Sequence, residues 1–320
     1  MNGGYEDRLI RIDRSSAYFD KNDLNYSNDT ALSIFAKIDK NSSSGPDDAY
    51  MVFRSRFFKA IFKKIVNINW ADIETEYFNE LFDIISKANN RNDDRIGTES
   101  FKNTQIKSLN EDLDYLQGIL IEYLKNEEAD FLRNNKAEDS YKDLFNEMIY
   151  KGERALVNQD YPEKIKFLNF NYTKTLSKYA NEDDIINIHG TLEDEPIFGF
   201  GDDTSEKYAI LENEYNNEAL KKIKSFKYLD RSEYYKLVNF VNLKEFQVHI
   251  YGHSCGVSDR TLFKQIFENI NCRTLKIFYH DYKDFEEKKY EISRHFDSKV
   301  EFLNKVISYD YLRTMPQLKK

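Results

Sequence analysis

Ile165-Lys166-Phe167-Leu168-Asn169-Phe170, followed at once by Asn171-Tyr172-Thr173, is the stretch whose reading decides the fold. A short apolar, β-prone run that stops on polar side chains is a strand ending in a turn. Three more runs of this kind follow: Ile185-Ile186-Asn187-Ile188, Phe246-Gln247-Val248-His249-Ile250-Tyr251 and Leu275-Lys276-Ile277-Phe278-Tyr279. Helical patterns are expected between or after them, near 173–179, 232–241, 259–270 and 284–296. Strands alternating with helices at this spacing need crossover connections. The second half of the chain is therefore expected to be an α/β domain, residues 164–320, built on a mostly parallel sheet.

Upstream the texture differs. Over 49–163 the pattern is helical, with Trp70, Ile73, Tyr77, Leu81 and Ile84 at three- and four-residue steps and a longer stripe at Leu109, Leu113, Leu116, Leu120 and Leu124. Such stripes are core or pairing surfaces, and the second is the candidate surface for a homo-oligomer or for sensing a trigger. Asn89-Asn90-Arg91-Asn92-Asp93-Asp94 reads as a polar loop between helices. Residues 1–48 are rich in Asp, Asn and Ser, with a turn cluster at Asn41-Ser42-Ser43-Ser44-Gly45-Pro46, and are expected to be irregular apart from a short helix near Ala31 to Ile38.

Composition narrows the function classes. Hydrophobic residues are 40% of the 320, with 24 Phe and 23 Tyr, enough to offset the entropy of ordering a folded core. No apolar run reaches the roughly 18 residues of a membrane helix, and Met1-Asn2-Gly3-Gly4-Tyr5-Glu6-Asp7 has no signal-like apolar region, so the expected location is the cytoplasm. A net charge of -9 with scattered acid argues against duplex nucleic acid as an obligate partner. Two cysteines, Cys255 and Cys272, are too few for a disulfide framework and read as reduced thiols; no metal is expected, since no histidine pair has ligand spacing.

In an open α/β sheet, ligands bind beyond the carboxyl ends of the strands. The first strand ends on Asn171-Tyr172-Thr173, the second on His189-Gly190, and the third on Gly252-His253-Ser254-Cys255-Gly256-Val257-Ser258-Asp259. If these strands are neighbours, an amide, an imidazole and a glycine-bearing loop face one pocket, with Gly199-Phe200-Gly201-Asp202 as a fourth wall. Each feature also has a structural reading. Asn171 and Ser258 or Asp259 are good helix caps, His189 suits a packed turn, and His249, His280 and His295 suit the core or the surface.

The ordered set Phe167-Leu168-Asn169-Phe170-Asn171-Tyr172-Thr173, Ile188-His189-Gly190-Thr191-Leu192, Phe198-Gly199-Phe200-Gly201 and Tyr251-Gly252-His253-Ser254-Cys255-Gly256-Val257-Ser258-Asp259 resembles the AbiH family of bacteriophage abortive-infection proteins. Trp70-Ala71-Asp72-Ile73-Glu74 and the leucine stripe look like that family's helical insertion. AbiH is in turn similar to sirtuin-like NAD-binding proteins. The resemblance implies a Rossmann-like, sirtuin-like sheet, anti-phage defence with a phage-derived trigger, and NAD or a related nucleotide as ligand or substrate. It implies Asn171 and His189 as catalytic groups, the first orienting ribose or water and the second acting as base. Tyr172, Thr173, Gly190, Gly252, Ser254 and Asp259 would shape the nucleotide pocket. The family's Gly-Asn-Gly-Phe-Asp loop is missing, and Met1-Asn2-Gly3-Gly4-Tyr5 reads as the remnant of a truncated one; Thr173 stands where defence sirtuin-like enzymes commonly carry Asp.

Two other readings compete. A nucleotide-binding sensor without turnover would account for the missing loop. Gly252-His253-Ser254-Cys255-Gly256 also matches the Gly-x-Ser-x-Gly elbow of α/β-hydrolases, with Ser254 as nucleophile and Asp281 and His295 following in chain order. Too little chain follows Ser254 for the remaining strands of such a fold.

Overall fold

The structure, a computed structural model, describes residues 9–12, 36–39, 49–64, 70–89, 98–134, 142, 145, 162–309 and 314–315. The chain divides into two compact units, Met1–Tyr115 and Leu116–Lys320.

The first unit pairs β1 (Leu9–Ile12), β2 (Ala36–Asp39) and β3 (Ala49–Phe53) in an antiparallel sheet of order β1-β3-β2. The register places Leu9 opposite Val52 and Ala36 opposite Phe53. This corrects the expectation for the N-terminal region. Residues 9–12 and 36–39 are strands rather than irregular chain, and the helix near Ala31 to Ile38 is replaced by strand from Ala36 onward. The β-branched or apolar alternation of Leu9-Ile10-Arg11-Ile12 and Ala36-Lys37-Ile38 satisfies its backbone groups through β3, a partner distant in sequence. The turn cluster at 41–46, the Met1–Tyr5 glycines and most of the 89–94 loop lie outside the described residues.

Helices α1 (Arg56–Lys64) and α2 (Trp70–Asn89) follow, then the long α3 (Thr98–Asn134), within which the division between units falls. Phe53, Phe57, Phe58, Ile61, Tyr77, Leu81, Ile85, Ile106 and Leu113 are buried. The Tyr77 hydroxyl reaches a buried acceptor, Asn110 Oδ1, at 2.6 Å. The leucine stripe is buried at Leu109, Leu113 and Leu116 and half-buried at Leu120 and Leu124. At those first three positions the stripe is buried packing.

The second unit is α/β. Strands β4 (Phe167–Asn169) and β5 (Ile185–Asn187) pair in parallel, as do β6 (Phe246–Ile250) and β7 (Cys272–Ile277). Parallel pairing is as expected, but the described strands form two small sheets where one continuous sheet was expected. At the end of the first ladder Asn169 and Asn187 turn their side chains on each other, Nδ2 donating to Oδ1 at 2.8 Å. Both sheets nevertheless share one hydrophobic core, in which Ile186 and Ile188 join Ile250, Leu275 and Ile277 under Leu237, Val241, Leu262 and Ile266. Between β5 and β6 the chain forms α4 (Glu206–Asn213), α5 (Asn217–Leu220), α6 (Lys224–Tyr228) and α7 (Ser232–Leu243). Helix α8 (Arg260–Phe267) crosses from β6 to β7, and α9 (Tyr282–Ser293) and α10 (Lys299–Lys305) follow. No helix among the described residues is long and apolar enough to cross a membrane.

Leu275, fully buried at the centre of this core, measures how far the two ladders depend on it. Leu275→Ala is expected to cost about 2–5 kcal/mol in urea unfolding. A loss below about 0.5 kcal/mol would show that β7 does not carry the core.

Candidate functional site

The turns after β4, β5 and β6 come together, and aromatic rings join them. The Phe170 ring lies 5.4 Å from the His189 ring and 4.2 Å from the His253 ring, centroid to centroid. Tyr172 flanks His189 at 6.2 Å and stacks on Phe198 at 4.7 Å. The amide, imidazole and glycine-bearing segments picked out from the sequence thus share one rim of the second unit.

At the base of this rim is a buried polar cluster. Asp259 closes a single 3-10 turn, Val257–Asp259, ahead of α8. Its Oδ1 accepts from Lys224 Nζ at 2.8 Å and lies 3.0 Å from His189 Nε2. The exposures are 6% for Asp259, 1% for Lys224 and 4% for His189. An ionised carboxylate can only accept, so His189 Nε2 is the donor in this contact, and the Tyr228 hydroxyl at 3.2 Å is a second neighbour of that nitrogen. Nδ1 of His189 makes no hydrogen bond among the described residues. Burial alone would raise the Asp259 carboxyl. The Lys224 ammonium and the His189 imidazole overturn that and hold it well below the ordinary carboxylate range.

Lys224 and Tyr228 are the two residues that the sequence reading missed. They stand one turn apart in α6, so both project to the same side. The lysine reaches Asp259 because Gly199-Phe200-Gly201 lets backbones close on each other. Phe200 pairs with Ile223 through Phe200 N to Lys222 O and Lys224 N to Phe200 O, both 2.9 Å. On the other side, Thr261 N donates to Gly201 O at 2.8 Å. A Cβ on Gly201 would stand 2.6 Å from the Ser258 carbonyl oxygen and 3.4 Å from Lys224 Cδ. This segment is buried packing and not the ligand wall expected of it. The available signal was a lysine followed four residues later by tyrosine, in a stretch with no strong apolar period.

The remaining expected residues separate by depth. Tyr172, Gly190 and Asp259 are buried, Thr173 is half-buried, and Asn171, Gly252 and Ser254 are exposed or half-exposed at the surface. Gly190 packs beneath the Arg231 guanidinium, which donates to the Glu195 carbonyl. Gly252 takes φ +62°, a left-handed conformation that favours glycine, and among the described residues its open face meets only Met315. Neither Asn171 nor Asp259 caps a helix. Thr173 precedes the Lys174–Lys178 turn where Asn171 was expected to cap, and the Asn171 amide N–H is itself held by Asn169 Oδ1 at 3.1 Å. Asp259 stands at the start of α8 without a capping bond, because its carboxylate faces inward.

The hydrolase constellation is not assembled. Asp281 caps α9, accepting from Asp284 N at 2.9 Å. His295, 1% exposed between Phe263 and Phe267, directs Nε2 to the Cys255 carbonyl at 2.7 Å. Apart from Gly252, the positive φ of the loop falls on Cys255, one residue beyond the serine that an elbow would strain. Cys255 and Cys272 are free thiols; burial pushes Cys255 up strongly and Cys272 up to about 11, so neither is a ready nucleophile. No group of three metal-ligating side chains occurs among the described residues. An open cleft of about 610 Å³ lies elsewhere, lined by Ile165, Phe167, Lys178, Tyr179 and Asp184 at the amino ends of β4 and β5.

The sequence profile of the bacteriophage abortive infection AbiH family matches residues 16–281, well over half of the chain. The chain belongs to the AbiH family. No curated protein and no solved structure matches it. The matched span of this AbiH protein includes the whole rim, from Asn171 through His189 to Asp259.

One titration at the rim is readable in solution. His253 Nδ1 accepts the Cys255 amide at 2.9 Å, and burial lowers its pKa to about 4 from 6.5. A lowered folded value means that its contribution to stability is complete above about pH 6.5 and lost as pH falls from there through 4. His249 titrates in the same window for the same reason. Urea unfolding from pH 7 to 4 is expected to show about 3 kcal/mol of loss attributable to His253. His253→Gln should flatten the curve by that share; an unchanged slope would contradict this.

Proposed function

We propose that this AbiH protein is an abortive-infection effector that binds NAD or a related nucleotide at the rim and hydrolyses its N-glycosidic bond, with His189 as base. The observation that carries the reading is the meeting of the turns after β4, β5 and β6 through Phe170, His189 and His253, with Asp259 buried against His189. The donor set suits a ribose. The Asn171 amide and the Ser254 hydroxyl lie at the surface and make no side-chain hydrogen bond among the described residues, and Gly252, two residues before Ser254, is exposed. Tyr172, Thr173 and Gly190 act from below, shaping the floor.

Asp259 takes a different role from the one its family position implied. It lies under the imidazole, fixing Nε2–H and leaving Nδ1 as the proton acceptor. In the reaction, the bond between ribose C1′ and the nicotinamide nitrogen breaks with its electron pair going to nicotinamide, discharging the pyridinium. Water oxygen bonds to C1′, and its proton passes to His189 Nδ1. Asn171 orients the ribose or that water. Expression of this activity on infection calls for a phage-derived trigger.

The depth of His189 and Asp259 favours a second reading, a nucleotide sensor without turnover. Nicotinamide release from NAD, with and without extract from phage-infected cells, separates the two. Under the enzymatic reading, His189→Ala and Asn171→Ala fold normally, lose turnover by about a hundredfold or more and abolish phage protection. Binding of ADP-ribose without release in any condition supports the sensor, and full protection by both variants overturns both readings.

A further inference from the structure

We propose that Lys224 is a positioning residue for His189, keeping the imidazole anchored through Nε2 and its Nδ1 unprotonated. The inference rests on the reading of His189 as a base, and it follows from one shared oxygen. Lys224 Nζ and His189 Nε2 both point at Asp259 Oδ1, at 2.8 and 3.0 Å, in a site from which water is nearly excluded.

A histidine and a carboxylate alone, in such a place, favour transfer of charge to the imidazole. An imidazolium would then have the full attraction of an unshared carboxylate in a medium where charge is poorly screened. Here the Lys224 ammonium, 2.8 Å away, already offsets the charge of that carboxylate. A second cation on the same oxygen would be repelled by the first, so the neutral imidazole with its proton on Nε2 is the favoured form. The other groups facing the cluster do not replace the ammonium. His253, from the loop after β6, is held neutral by burial; the Tyr228 hydroxyl lies beside Nε2; the Phe170 ring meets His189 by its edge, and the Tyr172 hydroxyl turns to the Ile197 carbonyl.

The surrounding chain is arranged to deliver this lysine. Its backbone is clamped by the Phe200 carbonyl at 2.9 Å, its side chain passes over Gly201, and nothing larger than glycine fits there. A lysine 1% exposed is costly to bury, and the ion pair to Asp259 offsets that cost only while both partners are present.

The test is the protonation pattern of the His189 ring by ¹⁵N–¹H correlation in the full-length protein at pH 7, alongside the pH profile of nicotinamide release. Wild type is expected to show Nε2 protonated and Nδ1 bare. Lys224→Met should show both nitrogens protonated and an acid limb moved to higher pH by a unit or more, with Lys224→Arg restoring the wild-type pattern. A lysine that only supports packing would lower stability in Lys224→Met and leave both readouts where they were, which would overturn the proposal. Should Lys224→Met not fold, the wild-type spectrum still decides, because a proton on Nδ1 contradicts the assignment. The expected ring pattern in a protein that releases no nicotinamide would sink the hydrolase reading and leave the role of Lys224 standing.

Discussion

A carboxylate taken out of water must find positive charge or give up its own, and in this protein Asp259 finds it in Lys224 and His189. Much of the second unit can be understood from that requirement. The loop after β6 has to turn Asp259 inward at the start of α8, where an aspartate would ordinarily cap outward. Helix α6 has to begin on a lysine with nowhere to reach solvent, and the 199–201 segment has to be thin enough for that lysine to pass. His189, placed by the tight turn after β5, completes the cluster and is held by it.

How much of this is legible in the sequence depends on the range of the interaction. The strands of the second unit and the helices at 232–243 and 282–293 carry their signal locally, in apolar runs and periodicity, and lie close to where that signal puts them. The strand tips are legible because polar residues directly after an apolar run mark where a strand stops and the chain turns. The antiparallel sheet of the first unit is not legible. Leu9–Ile12 and Ala36–Asp39 are four residues each, and what makes them strands is β3, which for the first lies far along the chain. Lys224 is hidden for a related reason. Lysine is among the residues least expected in a core, and only the three-dimensional partner Asp259 shows why it is there.

Glycines mislead in one place and guide in another. Gly201 makes room for Ser258 and Lys224 and not for a ligand, whereas Gly252 stands at an open surface with a left-handed backbone. Close approach of chain to chain and close approach of chain to ligand leave the same mark on a sequence. Membership of the AbiH family places the chain among abortive-infection proteins.

The most direct test of the account is a double-mutant cycle on folding stability with His189→Gln, Asp259→Asn and the combination. Two groups bonded across 3.0 Å in a buried site should couple, so each single change is expected to cost more alone than in the presence of the other, by about 1 kcal/mol or more. Strict additivity of the two losses would mean that Asp259 and His189 do not hold one another, and the organisation described for the rim would fall with that result.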